Sequence, residues 1–456
     1  MTSFATARVR GRPHVIRLSS VFSPLAFVVF LYAPILVLYA VSSRSVFASE
    51  FDSRKALTWS AFAFFALALL LFAAGAKLGG DSGRTKALAP PVRRSALTSG
   101  QVRSMAVLVE LALVVSIAAS VLWFSRGIAR AGGFAPFFEL WQREPLRVKN
   151  EILDTVPGVT TLMQLAVAAI PLAVVFGLHR RGSLIRGLIA VAIVLAAARA
   201  VFFSERLALV ELVLPLVFLA VAPRRVTVPR VAVYALALLV AVMTFFAVTE
   251  LRRTYAYTGD FSASRASTRF FGYYLTSVNN GMVVVDEYPA ATPLYSTGEF
   301  LWRFPVAGDL RLEHLPAVGT VSLRYVDAFG VDPERFWPQA FAAQGLDYEF
   351  NVFTTPGYLA ADFGWAGLFA IFVLGALSGR LYRRSETSPF HRALYGVWLV
   401  GLFELMRILY FTDTRVVPAY LVFIAAYAIV RRPAPHGVRR AVPPGPEARR
   451  PIRTIG

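Results

Sequence analysis

The chain has 456 residues, 57% of them hydrophobic and only 16% charged, with a mean hydropathy of +0.58. A soluble protein of this size cannot hide that much apolar surface, so the composition points to a polytopic membrane protein. The net charge of +20 would suggest a nucleic-acid binder in a soluble chain; here the arginines fall in short runs between apolar stretches, which fits anchoring against anionic lipid and no nucleic acid. The absence of cysteine excludes disulfides, thiolate metal sites and cysteine nucleophiles.

The N-terminus is basic (Arg8, Arg10, Arg12, Arg17) and leads into an apolar run from Val21 to Val41. No A-x-A-like cleavage site follows, so the run reads as a first transmembrane helix and not as a removed signal peptide. Further apolar windows follow at about 57–77, 104–124, 158–178, 185–203, 206–222, 231–249, 364–382, 394–410 and 416–430, each near the ~20 residues that span a bilayer. The expected fold is therefore an all-α polytopic integral membrane protein of about ten transmembrane helices. Residues 1–249 hold helices one to seven, 250–357 a large loop, 358–430 helices eight to ten, and 431–456 a basic, Pro/Arg-rich tail expected to be disordered.

Charge orients this plan. Alternate connections carry Arg84, Lys86, Arg93, Arg94 and Arg103; Arg180, Arg181 and Arg186; Arg224, Arg225 and Arg230; and Arg380, Arg383, Arg384 and Arg392, with more arginine after Arg431. The positive-inside rule puts these connections and both termini in the cytoplasm. The opposite side then receives 125–156, whose aromatics suggest a stretch at the membrane surface, and the 250–357 loop. A loop that long is expected to fold and carry function: its first part reads as helix, and Pro305 to Pro338 as irregular.

Several groups could carry chemistry. His314 is the one histidine on the outer side in this topology, a candidate base or an ordinary loop residue. One histidine without clustered carboxylates makes no metal site. The outer arginines include Arg252, Arg265, Arg269, Arg303 and Arg311; Arg265 and Arg269 share a face if their stretch is helical. As a group they could grip a phosphate or diphosphate; as individuals they could simply pair with loop carboxylates. Charges within apolar windows are costly and each marks a candidate site: Glu110, Arg199, Glu211, and Glu404 with Arg407 on one face. Arg206 opens the sixth helix at headgroup depth, as a phosphate ligand or a snorkelling anchor. Pro356-Gly357 reads as a turn and Asp362 as the start of the eighth helix.

Three stretches resemble a known family: "FFSERLALVELVLPLVF", "EYPAATPLYSTGEFLWRFP" and "FNVFTTPGYLAADFGWAGLFAIFVLGALSGRLYRR". With the late outer loop they resemble the bacterial oligosaccharide repeat-unit polymerases, the Wzy-type O-antigen polymerases. The resemblance implies a GT-C-like architecture in the bacterial cytoplasmic membrane, with the active site facing outward. It implies transfer of a growing glycan from undecaprenyl diphosphate to a fresh lipid-linked repeat unit, with no cofactor and no metal. Its partners would be undecaprenyl-diphosphate-linked oligosaccharide and membrane lipid; whether a chain-length regulator protein binds is left open. On this reading Arg206 and Arg269, with Arg265 and Arg252 behind them, face the diphosphate. His314, Asp362 and Glu349 are the candidate bases, Asp362 being equally a capping residue. Tyr358, Thr354, Thr355 and Tyr273 line the sugar cleft. An O-antigen ligase or a lipid-linked sugar transporter or flippase are the alternatives.

Overall fold

A computed structural model describes residues 15–81, 97–144, 147–148, 152, 156, 158–202, 207–222, 224–227, 263–299, 325–346 and 352–432. The expected span 231–249, much of the 250–357 loop and the tail after residue 432 lie outside the described residues.

The described chain is built almost wholly of helices. In order they are α1 (Pro24–Val41), α2 (Arg44–Phe51), α3 (Trp59–Asp81), α4 (Ser99–Arg130), α5 (Phe134–Arg143), α6 (Val159–Val175), α7 (Ser183–Phe202), α8 (Leu207–Val221) and α9 (Ala263–Glu287). They continue with α10 (Tyr325–Phe329), α11 (Pro333–Ala343), α12 (Thr355–Phe363), α13 (Gly367–Thr387), α14 (Pro389–Glu404) and α15 (Val417–Arg431). One short antiparallel pair, β1 (Val15–Arg17) with β2 (Arg225–Thr227), sets Ile16 opposite Val226.

Five helical stretches are long and apolar enough to cross a membrane: α1, α3, α4, α7, and α12 running on into α13; α6, α8 and α15 are shorter apolar helices. Large apolar side chains stand exposed along them, among them Phe30 (76%), Val194 (66%) and Phe369 (70%). In water such faces would be a liability, whereas lipid covers them. The protein is membrane-embedded and helical.

Packing against lipid gains little from apolarity alone, so helices associate through close backbone approach. The most extensive helix pair, α3 with α13, does this with four glycines. A Cβ added at Gly75 or Gly79 would come within 2.2 or 2.0 Å of the Phe372 or Ala376 carbonyl oxygen. One added at Gly375 or Gly379 would come within 2.2 or 2.0 Å of those of Phe72 or Ala76. The two segments share the pattern F-x-x-G-A-x-x-G, at 72–79 and 372–379, and pack in parallel.

Side chains tie the helix ends together at both ends of the bundle. At one, Thr98 and Gln101 form a reciprocal cap on α4, and the Gln101 amide donates to the Val430 and Arg432 carbonyls at the end of α15 (3.2 and 3.0 Å). There also Arg383 donates to the Gly80 carbonyl (2.8 Å). At the other end, α9 carries two buried asparagines. Asn279 accepts from the Tyr39 hydroxyl (2.9 Å) and the Ala56 amide (2.8 Å) and donates to the Arg54 carbonyl (2.9 Å). Asn280 donates to the Val352 carbonyl (3.1 Å). These bonds satisfy backbone that no helix or strand serves, and they fix the 52–58 loop and the entrance of α12 to one helix.

Two local expectations need correction. Pro356-Gly357 is not a turn but the first turn of α12: Thr354 caps it by accepting from the Gly357 amide (3.2 Å), and a proline there forfeits no helical bond. Gly364, with φ +56°, ends α12 before α13 begins. Asp362 therefore sits at the end of one helix and does not open the next. Within Pro305 to Pro338, both Tyr325–Phe329 and the part from Pro333 onward are helical, the latter because Asp332 caps α11 through the Glu334 amide (3.1 Å) and Pro333 occupies its first turn.

Candidate functional site

Residues 405–416, between α14 and α15, run through the middle of the second end of the bundle and touch both polar clusters there. The Leu405 carbonyl accepts from the Thr355 amide (2.9 Å), and the Ile408 carbonyl from the Thr355 hydroxyl (2.8 Å). Thr412 donates its hydroxyl to the Ser296 carbonyl (2.8 Å). The connector is thereby joined to α12 and to the 288–298 segment on one side, and through Tyr410 and Arg415 to α8 on the other.

The first cluster is buried among apolar helices. Glu211 of α8, only 1% exposed, accepts from the Tyr410 hydroxyl (3.0 Å). Arg415 meets the same carboxylate, with Nε 2.9 Å from Oε1 and Nη2 3.3 Å from Oε2. The Gln164 amide, with its nitrogen turned to Glu211 (3.0 Å), accepts through its oxygen from Arg415 Nη2 (3.1 Å) and Arg199 Nη1 (3.3 Å). Gln164 and Arg199 are themselves 2% and 8% exposed. Ser116, Ser120, Gln164, Arg199 and Glu211 line a cavity of about 30 Å³ beside the cluster, room for about two waters. A charge in such a place survives only when paired and hydrogen-bonded.

The second cluster holds Asp362, 2% exposed. One carboxylate oxygen accepts from the Ser296 amide (3.1 Å) and the other from the Thr297 amide (2.7 Å). The neighbouring chain is clamped to α12 by Ala290 and Thr292 amides donating to the Ala360 and Ala361 carbonyls (2.9 and 3.0 Å). Both contacts of Asp362 are those of a capping group for the 288–298 segment. Thr354 and Thr355 are fully buried, one capping α12 and the other bound to the connector. Tyr358 and Tyr273 are half-buried. Tyr358 stacks on Phe353 with centroids 3.9 Å apart; Arg407, paired with Glu404 at 2.8 Å, lies over the Tyr273 ring at 5.4 Å. Nearby, burial and the Asp362 carboxylate push the Tyr325 phenol up to about 12, while its hydroxyl donates to the Pro293 carbonyl (2.9 Å).

The structure thus brings Arg199 and Glu211 to one cavity and pairs Glu404 with Arg407, four charges that stand within apolar windows. It places Thr354, Thr355, Tyr358, Asp362 and Tyr273 around α12 and the connector. Arg265 and Arg269 lie one turn apart on α9, their side chains outside the described residues. Arg206, Arg252, His314 and Glu349 lie outside the described residues altogether. Gln164, Tyr410 and Arg415 were not singled out from sequence; the available signal was that Glu211, alone in an apolar helix, needed a donor from elsewhere. Among the described residues no three histidine or carboxylate side chains gather as a metal site.

Searches against family models, curated proteins and solved structures give no match.

Proposed function

We propose that this membrane protein polymerises lipid-linked oligosaccharide repeat units into a surface polysaccharide, at the outer leaflet of a bacterial cytoplasmic membrane. The acceptor hydroxyl of one unit attacks the anomeric carbon of the donor glycan. The bond from that carbon to the diphosphate oxygen breaks, the diphosphate leaves with the electron pair, and the hydroxyl proton passes to a base and on to solvent. The leaving group needs fixed cations, and the acceptor needs a hydrogen-bonding base.

The observation that supports this reading is that one connector, residues 405–416, joins the cluster holding the buried Arg199 and the half-buried Arg415 to α12 with its aromatic and threonine side chains. Arg199 and Arg415 meet around Glu211 and Gln164, and the same connector holds α12 with Thr355 and Tyr358. The motif resemblance supplies the substrate class. Arg206, Arg269, Arg265 and Arg252 are proposed for the diphosphate, His314, Asp362 or Glu349 for the base, and Tyr358, Thr354, Thr355 and Tyr273 for the sugars. Among the bases, the amide contacts of Asp362 favour capping and leave His314 and Glu349 ahead of it.

A second reading is favoured by one feature: the interruption at Gly364 between α12 and α13, beside the buried Asp362, also suits a transporter of lipid-linked sugars. Deleting the gene and separating the surface glycan on a gel discriminates between them. A ladder reduced to single repeat units supports the polymerase. Long lipid-linked chains that never reach their final acceptor point to a ligase, and repeat units held on the cytoplasmic side to a transporter. An unchanged glycan contradicts all three.

A further inference from the structure

The apolar stretch of α4 is bracketed by Arg103 and Arg126. At the rise of an α-helix these two lie about 34 Å apart along the axis, close to the ~30 Å of a hydrocarbon core. One edge of that core therefore falls near Phe124 and Arg126. Phe202, the last residue of α7, ends a second apolar stretch at the same level, its ring 6.4 Å from that of Phe124.

The chain passes this edge at the end of α4 and then returns to it. Gly132 and Gly133, with φ +85° and +126°, turn the backbone in a conformation that a side chain would strain. α5 then docks on the end of α7, with the Phe137 and Trp141 rings 5.7 and 4.8 Å from Phe202. The Trp141 indole donates to the Val201 carbonyl (3.4 Å), and Phe137, 2% exposed, fills the contact.

Two further rings of α5 face outward: Phe134 is 66% exposed and Phe138 38%. With Trp141 they recur at i, i+4 and i+7, one stripe of a helix, with ring centroids 6.5 and 5.3 Å apart along it. Glu139 and Arg143, both exposed, occupy the opposite face. An aromatic stripe opposite charges, on a helix held at the rim of the apolar core, is the pattern of a helix lying in the membrane surface. Bare stacked rings are a liability in water. Lipid reaches the same level along α4, where Val121 and Leu122 are 50% and 59% exposed.

We propose that α5 is an in-plane anchor whose Phe134 and Phe138 enter lipid at the boundary between headgroups and acyl chains, with Glu139 and Arg143 toward water. This narrows the surface stretch expected at 125–156 to ten residues, since Ser125 to Arg130 continue α4. By holding Phe202 at the boundary, α5 sets the depth of α7 and puts Arg199, one turn earlier, about 5 Å inside it. The placement does not depend on the substrate.

The chain has no cysteine, so a single introduced cysteine carries a nitroxide label at one known place. The full chain in nanodiscs of phosphatidylcholine and phosphatidylglycerol is labelled at Phe138→Cys, at Arg143→Cys and, as a reference within the core, at Val114→Cys, a half-exposed position of α4. Electron paramagnetic resonance with oxygen and a water-soluble nickel complex gives the depth of each label. The label at position 138 is expected about 5–10 Å below the lipid phosphates, and the label at position 143 at or above them. Where Phe138→Cys lowers Tm, Phe134→Cys reads the same stripe. Equal depths at positions 138 and 143, or a stripe label above the phosphates, overturn the anchor. A stripe label shielded from both oxygen and nickel means that protein covers the rings, a second copy included, and overturns lipid as the occupant.

Discussion

Gly375 of α13 lies against the main chain of Phe72, and Gly75 of α3 lies against that of Phe372. A Cβ on either glycine would stand 2.2 Å from the facing carbonyl oxygen. The approach is reciprocal, and it recurs one turn on at Gly79 and Gly379. With no hydrophobic force between helices in lipid, this contact supplies much of what holds α3 beside α13.

Enlarging these glycines should therefore separate the helices. Gly375→Leu or Gly79→Val is expected to cost at least ~1–3 kcal/mol, the usual range for overpacking, and to lower the detergent-solubilised Tm. Gly80→Ala, whose Cβ would meet nothing within 4 Å, is the control and should leave Tm unchanged. Equal effects at positions 79 and 80 would contradict the close approach.

Asp362 offers a second test. Asp362→Ala strands the amides of Ser296 and Thr297 in a buried place, at about 1–3 kcal/mol for each group left unsatisfied. Faster hydrogen exchange is expected at residues 290–298, with the rest of the bundle unaffected. If exchange there is unchanged while glycan synthesis stops, the carboxylate acts in the chemistry and not as a cap.

Asn279 joins α9 to the 52–58 loop through two hydrogen bonds, with Ala56 and Arg54, and to Tyr39 of α1 through a third. Asn279→Leu keeps the volume and removes all three partners, so a loss of roughly 2–4 kcal/mol is expected from the stranded polar groups. Limited proteolysis at residues 52–58 should become faster. An unaltered cleavage rate would show that the loop is held by packing alone.

Tyr325 carries a pH prediction. Its phenol is pushed up to about 12 by burial, by Asp362 and by Tyr295, against about 10 in an unfolded chain. A group whose folded pKa is raised contributes stability that is complete below about pH 10 and is lost as pH rises from there through about 12. Ultraviolet titration of the protein minus its Tyr325→Phe variant should give a tyrosinate midpoint near 12. A midpoint at 10 would mean an exposed phenol.

Much of the fold was legible because membrane helices announce themselves by length and apolarity, as α3, α4 and α7 do. Charge in apolar windows also spoke: Arg199, Glu211, Glu404 and Arg407 stood out, and each has a defined setting in the structure. Their partners did not stand out. Tyr410 fell at the end of the ninth apolar window, Arg415 between two windows and Gln164 inside the fourth, and only the fold brings them to Glu211. The turn expected at Pro356 was misplaced because proline and glycine break a helix interior yet are harmless in its first turn. The F-x-x-G-A-x-x-G match between α3 and α13 is eight residues long across an interval of 300, too short to read as a repeat without seeing the two segments touch.

The central claim is polymerisation from a lipid-linked donor, and its most direct measurement is reconstitution. The purified chain in proteoliposomes is supplied with undecaprenyl-diphosphate-linked repeat units and the products are resolved by size. A ladder of lengthening lipid-linked glycan, with one undecaprenyl diphosphate released per unit added and loss of the ladder in Arg206→Ala, is the predicted result. Repeat units that remain single while a correctly inserted protein is present would contradict the account.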